Sequence, residues 1–133
     1  MSPAVARART ITLTGRRPVR IHTDEWPVVG QGSVTFTWLD HSAKLTIWVR
    51  RTESGRVIVY ARAERTDAKQ PTAADVIWRG GVMLDHERQP WSAVVGAVIE
   101  VGREAARNVQ GLRPEIAQQA ASQCMAALPP EEV

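Results

Sequence analysis

The sequence predicts an α+β fold, in which a four- to five-stranded antiparallel sheet is followed by two C-terminal helices packed on one face. Residues 33–39 and 44–64 alternate between apolar and polar side chains, as half-buried strands do. Beyond residue 90 the apolar residues recur every three or four positions, as in amphipathic helices. All predicted strands precede both helices, which favours α+β over an alternating α/β fold.

A length of 133 residues suits one domain with its own core. We expect a flexible basic arm at residues 1–8 and a single α+β domain at 9–133. The sheet occupies residues 9–84 of that domain, and helices run from about 90 to 108 and from 114 to 128. Each helix has a proline in its first turn, which is a favoured position.

Shorter elements complete the predicted sheet. Residues 9–14 and 18–21 alternate briefly and predict two short strands. The Gly-Gln-Gly sequence at 30–32 indicates a turn. Residues 76–79 predict a further strand, which the glycine pair at 80–81 closes.

The hairpin within residues 44–64 assigns its side chains to two faces. A three-residue loop ending at Gly55, where a left-handed backbone is needed, pairs Trp48 with Tyr60 and Val49 with Val59. One face is then uniformly apolar and predicts the core: Leu45, Ile47, Val49, Val57, Val59, Ala61 and Ala63. The opposite face is rich in aromatic and arginine side chains: Thr46, Trp48, Arg50, Arg56, Ile58, Tyr60 and Arg62.

The preceding strand predicts the same core face. Val34, Phe36 and Trp38 alternate with polar residues, and a four-residue connection at 40–43 places Phe36 opposite Ile47. Two separate turns therefore agree on which face is buried. An antiparallel sheet can leave its other face in water, which predicts that Trp48 and Tyr60 are exposed.

Composition limits the functional classes. Residues 1–69 carry 12 basic and 6 acidic side chains, whereas residues 70–133 carry 5 basic and 8 acidic ones. Fifteen of the 17 basic residues are arginine, which suits bidentate contacts with phosphate or carboxylate but also follows from GC-rich codon usage. The sequence shows no secretory leader and no apolar run of membrane-spanning length, so we expect a cytoplasmic protein without membrane contact.

Catalytic and metal-binding patterns are weak. Residues 85–87 (Asp-His-Glu) resemble a ligand cluster, but neighbours in an extended segment point to opposite sides. Ser42 and Ser54 fall in predicted turns without a nucleophile elbow. Cys124, the single cysteine, lies in an alanine-rich helix where a thiol is buried and unreactive. We expect no metal and no cofactor, and a non-enzymatic protein rather than a small enzyme with an unrecognised site.

The face that carries Trp48 and Tyr60 is the predicted binding surface. Tryptophan, tyrosine and arginine are enriched at the centres of protein interfaces, and they also stack on unpaired bases and contact phosphates. A protein partner or a homodimer is favoured over single-stranded nucleic acid, because a net charge of +3 is small for a dedicated nucleic-acid binder. In the competing interpretation, the N-terminal segment including Trp26 covers this face as a second core.

The sequence ITLTGRRPVRI, followed by DEWPVV, GRVIVYA and the terminal LPPEEV, resembles a group of small uncharacterised proteobacterial proteins associated with phages and other mobile elements. The Ser54-Gly55-Arg56 turn departs from the Asp-Gly-Arg version of that group. The resemblance implies a small cytoplasmic accessory protein that blocks a host defence complex, and it supplies no catalytic residues.

Overall fold

The computed structural model describes residues 26–52, 55–67, 75–84 and 90–129, together with the backbone of two N-terminal strands. These two strands, β1 (Ala8–Thr12) and β2 (Pro18–His22), pair with each other in antiparallel fashion, and β1 lies near β6. Both short strands predicted in this region are therefore confirmed. The predicted basic arm at residues 1–8 lies outside the described residues except for Ala8.

A four-stranded antiparallel sheet forms the centre of the molecule. Its strands are β3 (Val28–Trp38), β4 (His41–Arg51), β5 (Val57–Arg65) and β6 (Val76–Leu84), which are neighbours in sequence order. Two helices follow, α1 (Trp91–Asn108) and α2 (Pro114–Ala126). The α+β prediction is confirmed, with four strands in the main sheet and both helices C-terminal.

The β4–β5 hairpin has the register that the sequence predicts. Trp48 lies opposite Tyr60 and Val49 lies opposite Val59. Gly55 has a φ of 84°, and its N–H donates to the Thr52 carbonyl at 3.0 Å. The left-handed glycine closes the loop, and the two-residue period of the strands fixes the faces from there.

The β3–β4 turn is shorter than predicted. Trp38 pairs with His41, so the loop holds only Leu39 and Asp40, with φ of 46° and 65°. Two consecutive left-handed residues make a type I′ turn, which matches the twist of the flanking strands but usually requires asparagine and glycine. The predicted pairing of Phe36 with Ile47 is wrong, since Phe36 lies opposite Ala43. The core face is nevertheless the predicted one, because the observed partner of each β3 residue differs from its predicted partner by an even number of positions.

Both glycine-rich segments that the sequence places outside strands belong to strands. Gly30, Gln31 and Gly32 lie within β3, and β6 continues through Gly80 and Gly81 to Leu84. A Cβ atom built on Gly32 would overlap the carbonyl oxygen of Ala120 and lie 2.5 Å from the Cys124 nitrogen. These contacts show that the β3 glycines allow the backbone of α2 to cross the sheet closely.

The main core lies between the sheet and the two helices. All seven apolar residues predicted for the β4–β5 core face are buried. The helices add small side chains to this core, namely Val94, Ala97, Val98, Val101, Ala105, Ala117, Ala120, Ala121 and Cys124. Gly111, with a φ of 84°, lies in the connection between the helices, where an added Cβ atom would overlap the Thr37 carbonyl oxygen. No helix among the described residues is long and apolar enough to cross a bilayer.

Candidate functional site

The predicted binding residues lie on one sheet face, opposite the helices. The register places Thr46, Trp48 and Arg50 of β4 on the same side as their partners Arg62, Tyr60 and Ile58 of β5. Arg56, which continues this alternation, is exposed just before β5. We call the seven residues the aromatic/arginine face: Thr46, Trp48, Arg50, Arg56, Ile58, Tyr60 and Arg62.

Part of the aromatic/arginine face is buried, contrary to the expected exposure. Ile58 is fully buried, Tyr60 is 5% exposed and Thr46 is 2% exposed. Trp26 and Met83 pack against Ile58 and Tyr60, forming a second, smaller core. The competing interpretation is therefore correct for Trp26, which precedes β3 and reaches back over the sheet. Trp48, Arg50 and Arg62 are half-buried.

The two aromatic rings stack on each other. The ring centroids of Trp48 and Tyr60 are 5.0 Å apart with an interplanar angle of 19°. This separation is close to the spacing of neighbouring strands, so the rings stand side by side on the sheet with their planes facing. Gly81 lies opposite Tyr60 on β6, and a Cβ atom there would lie 2.7 Å from the Tyr60 Cβ. The glycine leaves room for the tyrosine on that side.

Arg50 links this ring pair to the segment before β3. Its Nε donates to the Tyr60 hydroxyl at 2.7 Å, and one of its terminal nitrogens donates to the Trp26 carbonyl at 2.7 Å. The buried tyrosine thus has a partner for its hydroxyl, as buried tyrosines usually do. Because Arg50 bridges two groups far apart in sequence, it fixes the position of Trp26 over the face.

Arg62 lies over the other aromatic residue. Its guanidinium carbon is 5.2 Å from the Trp48 ring centroid, within the range of a cation–π interaction. A terminal nitrogen lies 3.3 Å from a Glu64 carboxylate oxygen. The Arg62 Nε is buried and has no hydrogen-bond acceptor among the described residues. Arg79 lies directly opposite on β6, so two arginine residues are cross-strand neighbours.

Sequence reasoning missed a polar cluster at one end of the sheet. Asp67 accepts from the His41 ring Nδ1 at 3.1 Å, from the Arg65 Nε at 3.1 Å and from the Ser42 N–H at 3.2 Å. Partial desolvation raises the pKa of Asp67, but these donors outweigh it and hold the pKa below 3.8. The sequence predicts a loop for the segment that contains Asp67 and places His41 in the β3–β4 connection, whereas in the structure His41 is the first residue of β4.

The other candidates from the sequence do not form a catalytic arrangement in the described part of the chain. Cys124 is fully buried, and burial raises the pKa of its thiol to about 12. This confirms the expectation of a buried thiol with a raised pKa. No group of three or more His, Cys, Asp or Glu residues with metal-binding geometry occurs among the described residues. Residues 85–87 and Ser54 lie outside them.

The chain matches no protein-family model, no curated protein and no solved structure.

Proposed function

We propose that this chain is a non-enzymatic, cytoplasmic binding protein that acts through protein–protein contacts made by the aromatic/arginine face. The observation that carries the proposal is the half-buried Trp48 with the Arg62 guanidinium 5.2 Å from its ring centroid. Tryptophan and arginine are the side chains that most often dominate binding energy at protein interfaces. Because Tyr60, Ile58 and Thr46 are buried, their role is to support the accessible parts of Trp48, Arg50, Arg56 and Arg62.

A protein partner fits this geometry better than single-stranded nucleic acid. The arginines on the face favour either partner by charge. However, base stacking requires a free ring face, and the Trp48 and Tyr60 rings turn one face toward each other. Tyr60 is in addition only 5% exposed, so it offers little surface to a base.

The partner is a different protein or a second copy of the chain. The resemblance to proteins carried by phages and mobile elements makes a host defence complex the first heterologous partner to test. Self-association through the same face is the other form of the proposal, and it gives a two-fold symmetric dimer.

Light scattering combined with size exclusion separates these alternatives. The chain is run alone and with oligo(dT), and each sample is measured at about 50 mM and at about 200 mM salt. A mass of two chains supports the homodimer, and an unchanged monomer with no shift by oligo(dT) supports a heterologous protein partner. A shift by oligo(dT) that falls steeply with salt would overturn the proposal in favour of nucleic acid.

Substitutions locate the contact. Trp48→Ala and Arg62→Ala are expected to abolish dimerisation, or photo-crosslinking to a defined partner in a lysate of the native host. Trp91→Ala is the matched control, since Trp91 is also half-buried but lies on the helix side of the sheet. Circular dichroism and the melting temperature establish which variants remain folded. Full binding by folded Trp48→Ala and Arg62→Ala proteins would exclude this face.

A further inference from the structure

The N-terminal hairpin holds the excess positive charge of the chain. Of the 17 basic and 14 acidic side chains, residues 1–22 contain five basic and no acidic ones, whereas residues 23–133 contain 12 basic and 14 acidic ones. The net charge of +3 therefore combines a strongly basic N-terminal segment with a slightly acidic remainder. Two of the five arginines, Arg9 and Arg20, lie in the strands β1 and β2. Charge concentrated in one element attracts an anionic partner more strongly than the net charge of the whole chain indicates.

β1 and β2 form an antiparallel ribbon with two distinct faces. They make a two-stranded sheet of their own, separate from the sheet of β3–β6. Because successive strand residues alternate between faces, the register sorts the residues of the ribbon by chemistry. One face holds the apolar residues Ile11, Val19 and Ile21, together with Arg9. The other face, which we call the polar ribbon face, holds Ala8, Thr10, Thr12, Pro18, Arg20 and His22.

The size and the chemistry of the ribbon fit the major groove of duplex DNA. That groove is about 12 Å wide and admits a two-stranded β-ribbon. Five-residue strands are roughly 17 Å long, which suits a short stretch of the groove. Arginine and threonine side chains contact phosphates and base edges, and Thr10, Thr12 and Arg20 share the polar ribbon face. The opposite, apolar face suits packing on the domain, and β1 lies near β6.

We infer that the β1–β2 ribbon is a binding site for duplex DNA, in which the polar ribbon face enters the major groove. This inference goes beyond the proposed function, because the site lies in a different sheet from the aromatic/arginine face. Single-stranded DNA fits the ribbon less well, since base stacking requires aromatic rings and residues 1–22 contain no Phe, Trp or Tyr. Duplex RNA also fits less well, because its major groove is too deep and narrow for side chains to read.

The test uses three fluorescein-labelled probes of equal length: duplex DNA, duplex RNA and oligo(dT). Fluorescence anisotropy measures their binding to the full chain at about 50 mM and at about 200 mM salt. We expect duplex DNA to bind most tightly and its affinity to fall as the salt concentration rises, because arginine contacts with phosphates release counterions. No binding of duplex DNA at the lower salt concentration, or binding of duplex RNA or oligo(dT) that is equally tight, would overturn the inference.

Arginine variants distinguish the polar ribbon face from a general effect of net charge. Arg20→Gln is expected to weaken duplex DNA about tenfold and to reduce the slope of log affinity against log salt by about one. Arg9→Gln is the matched control, because it removes the same charge from the same ribbon but from the apolar face. Arg103→Gln removes the charge from an exposed position on α1 and is expected to leave the affinity unchanged. Equal losses in Arg20→Gln and Arg9→Gln would overturn the inference.

A variant of the main sheet separates this site from the aromatic/arginine face. Trp48→Ala is expected to bind duplex DNA as tightly as the wild type, because Trp48 lies in β4 and not in the ribbon. Circular dichroism and the melting temperature establish that each variant is folded. If folded Trp48→Ala loses duplex DNA while Arg20→Gln retains it, the DNA contact belongs to the aromatic/arginine face and the inference fails.

Discussion

At the residue scale, the hydrogen bond between Arg50 and Tyr60 stabilises the small core against which Trp26 packs. The Tyr60 hydroxyl accepts from Arg50 at 2.7 Å in a largely buried position. We expect Tyr60→Phe to lower the free energy of unfolding by about 1–3 kcal/mol, since it deprives a partly buried charged donor of its acceptor. Urea unfolding measures the change. Thr37→Val, which removes a hydroxyl from an exposed residue, is expected to change stability by less than about 0.5 kcal/mol.

The β3–β4 turn contains the described non-glycine residues with positive φ. Leu39 and Asp40 both adopt left-handed conformations, and Leu39 is also 55% exposed. Left-handed backbone costs about 1–2 kcal/mol at such residues and little at glycine or asparagine. We therefore expect Leu39→Asn with Asp40→Gly to raise the free energy of unfolding by about 1–2 kcal/mol. A lower urea-unfolding midpoint in the turn variant would contradict the assigned turn type.

The lowered pKa of Asp67 predicts a loss of stability in acid. Its three donors keep the folded-state pKa below the ordinary value of 3.8. A depressed carboxyl pKa contributes stability that is present above the unfolded value and is lost as pH falls through the folded one. The stability difference between the wild type and Asp67→Asn is therefore expected to shrink as the pH falls below about 4. Urea midpoints measured between about pH 2 and 7 test it, and a difference that does not shrink below pH 4 would contradict it.

At the scale of elements, the close crossing of α2 over β3 depends on glycine. We expect Gly32→Ala to destabilise the protein by about 1–3 kcal/mol, because the new Cβ would overlap the α2 backbone at Ala120 and Cys124. Gly96→Ala is the control: Gly96 is an exposed position in α1, and a Cβ there meets no atom within 4 Å. That change is expected to stabilise the helix by about 0.5–1 kcal/mol. Similar effects at both positions, measured by thermal unfolding, would contradict the close crossing.

α2 also caps the outer edge of β3. The Ser33 N–H points away from β4 and donates to the Gln123 side chain at 3.1 Å. Edge strands with free N–H groups are templates for unwanted pairing. We expect Gln123→Ala to lower the temperature at which the protein begins to aggregate, with little change in monomer stability, whereas the exposed neighbour Ser122→Ala leaves this temperature unaltered. Light scattering during a thermal ramp measures the onset, and an equal onset in both variants would contradict this role.

The sequence was sufficient to predict the faces of the strands but not what covers them. A two-residue period assigns Val49 and Trp48 to opposite sides whatever the loop length, so the main core was predictable even where the β3–β4 register was not. Burial of Tyr60 depends on Trp26 packing back from an earlier segment, and no local pattern encodes that contact. The sequence predicts a turn at the β3 glycines because their role depends on the position of α2, which lies some 90 residues later.

At the scale of the whole molecule, the sheet separates two regions of different character. On the helix side, small side chains of α1 and α2 pack on a continuous apolar strand surface, and the residues there are almost fully buried. On the other side, the buried side chains in the described part of the chain are Ile58, Tyr60 and Thr46, and Trp48, Arg50 and Arg62 beside them are half-buried. The proposed binding role is assigned to the second side because Trp48, Arg50 and Arg62 are partly accessible there, whereas the first side supplies most of the buried apolar area that stabilises the fold.

The ionisation of the Cys124 thiol predicts how stability changes with pH in alkaline solution. It is fully buried where α2 crosses β3, and burial raises its pKa from 9.0 to about 12. A raised pKa means that the folded state retains the proton over this range while the unfolded state loses it. Stability that is fully present below pH 9 is then lost as pH rises toward 12, by up to about 1.4 kcal/mol per pH unit. Cys124→Ala has no thiol to ionise but shares every other titrating group. The wild type should therefore lose stability relative to Cys124→Ala above pH 9, as measured by urea unfolding, and parallel curves would show that the thiol ionises equally in both states.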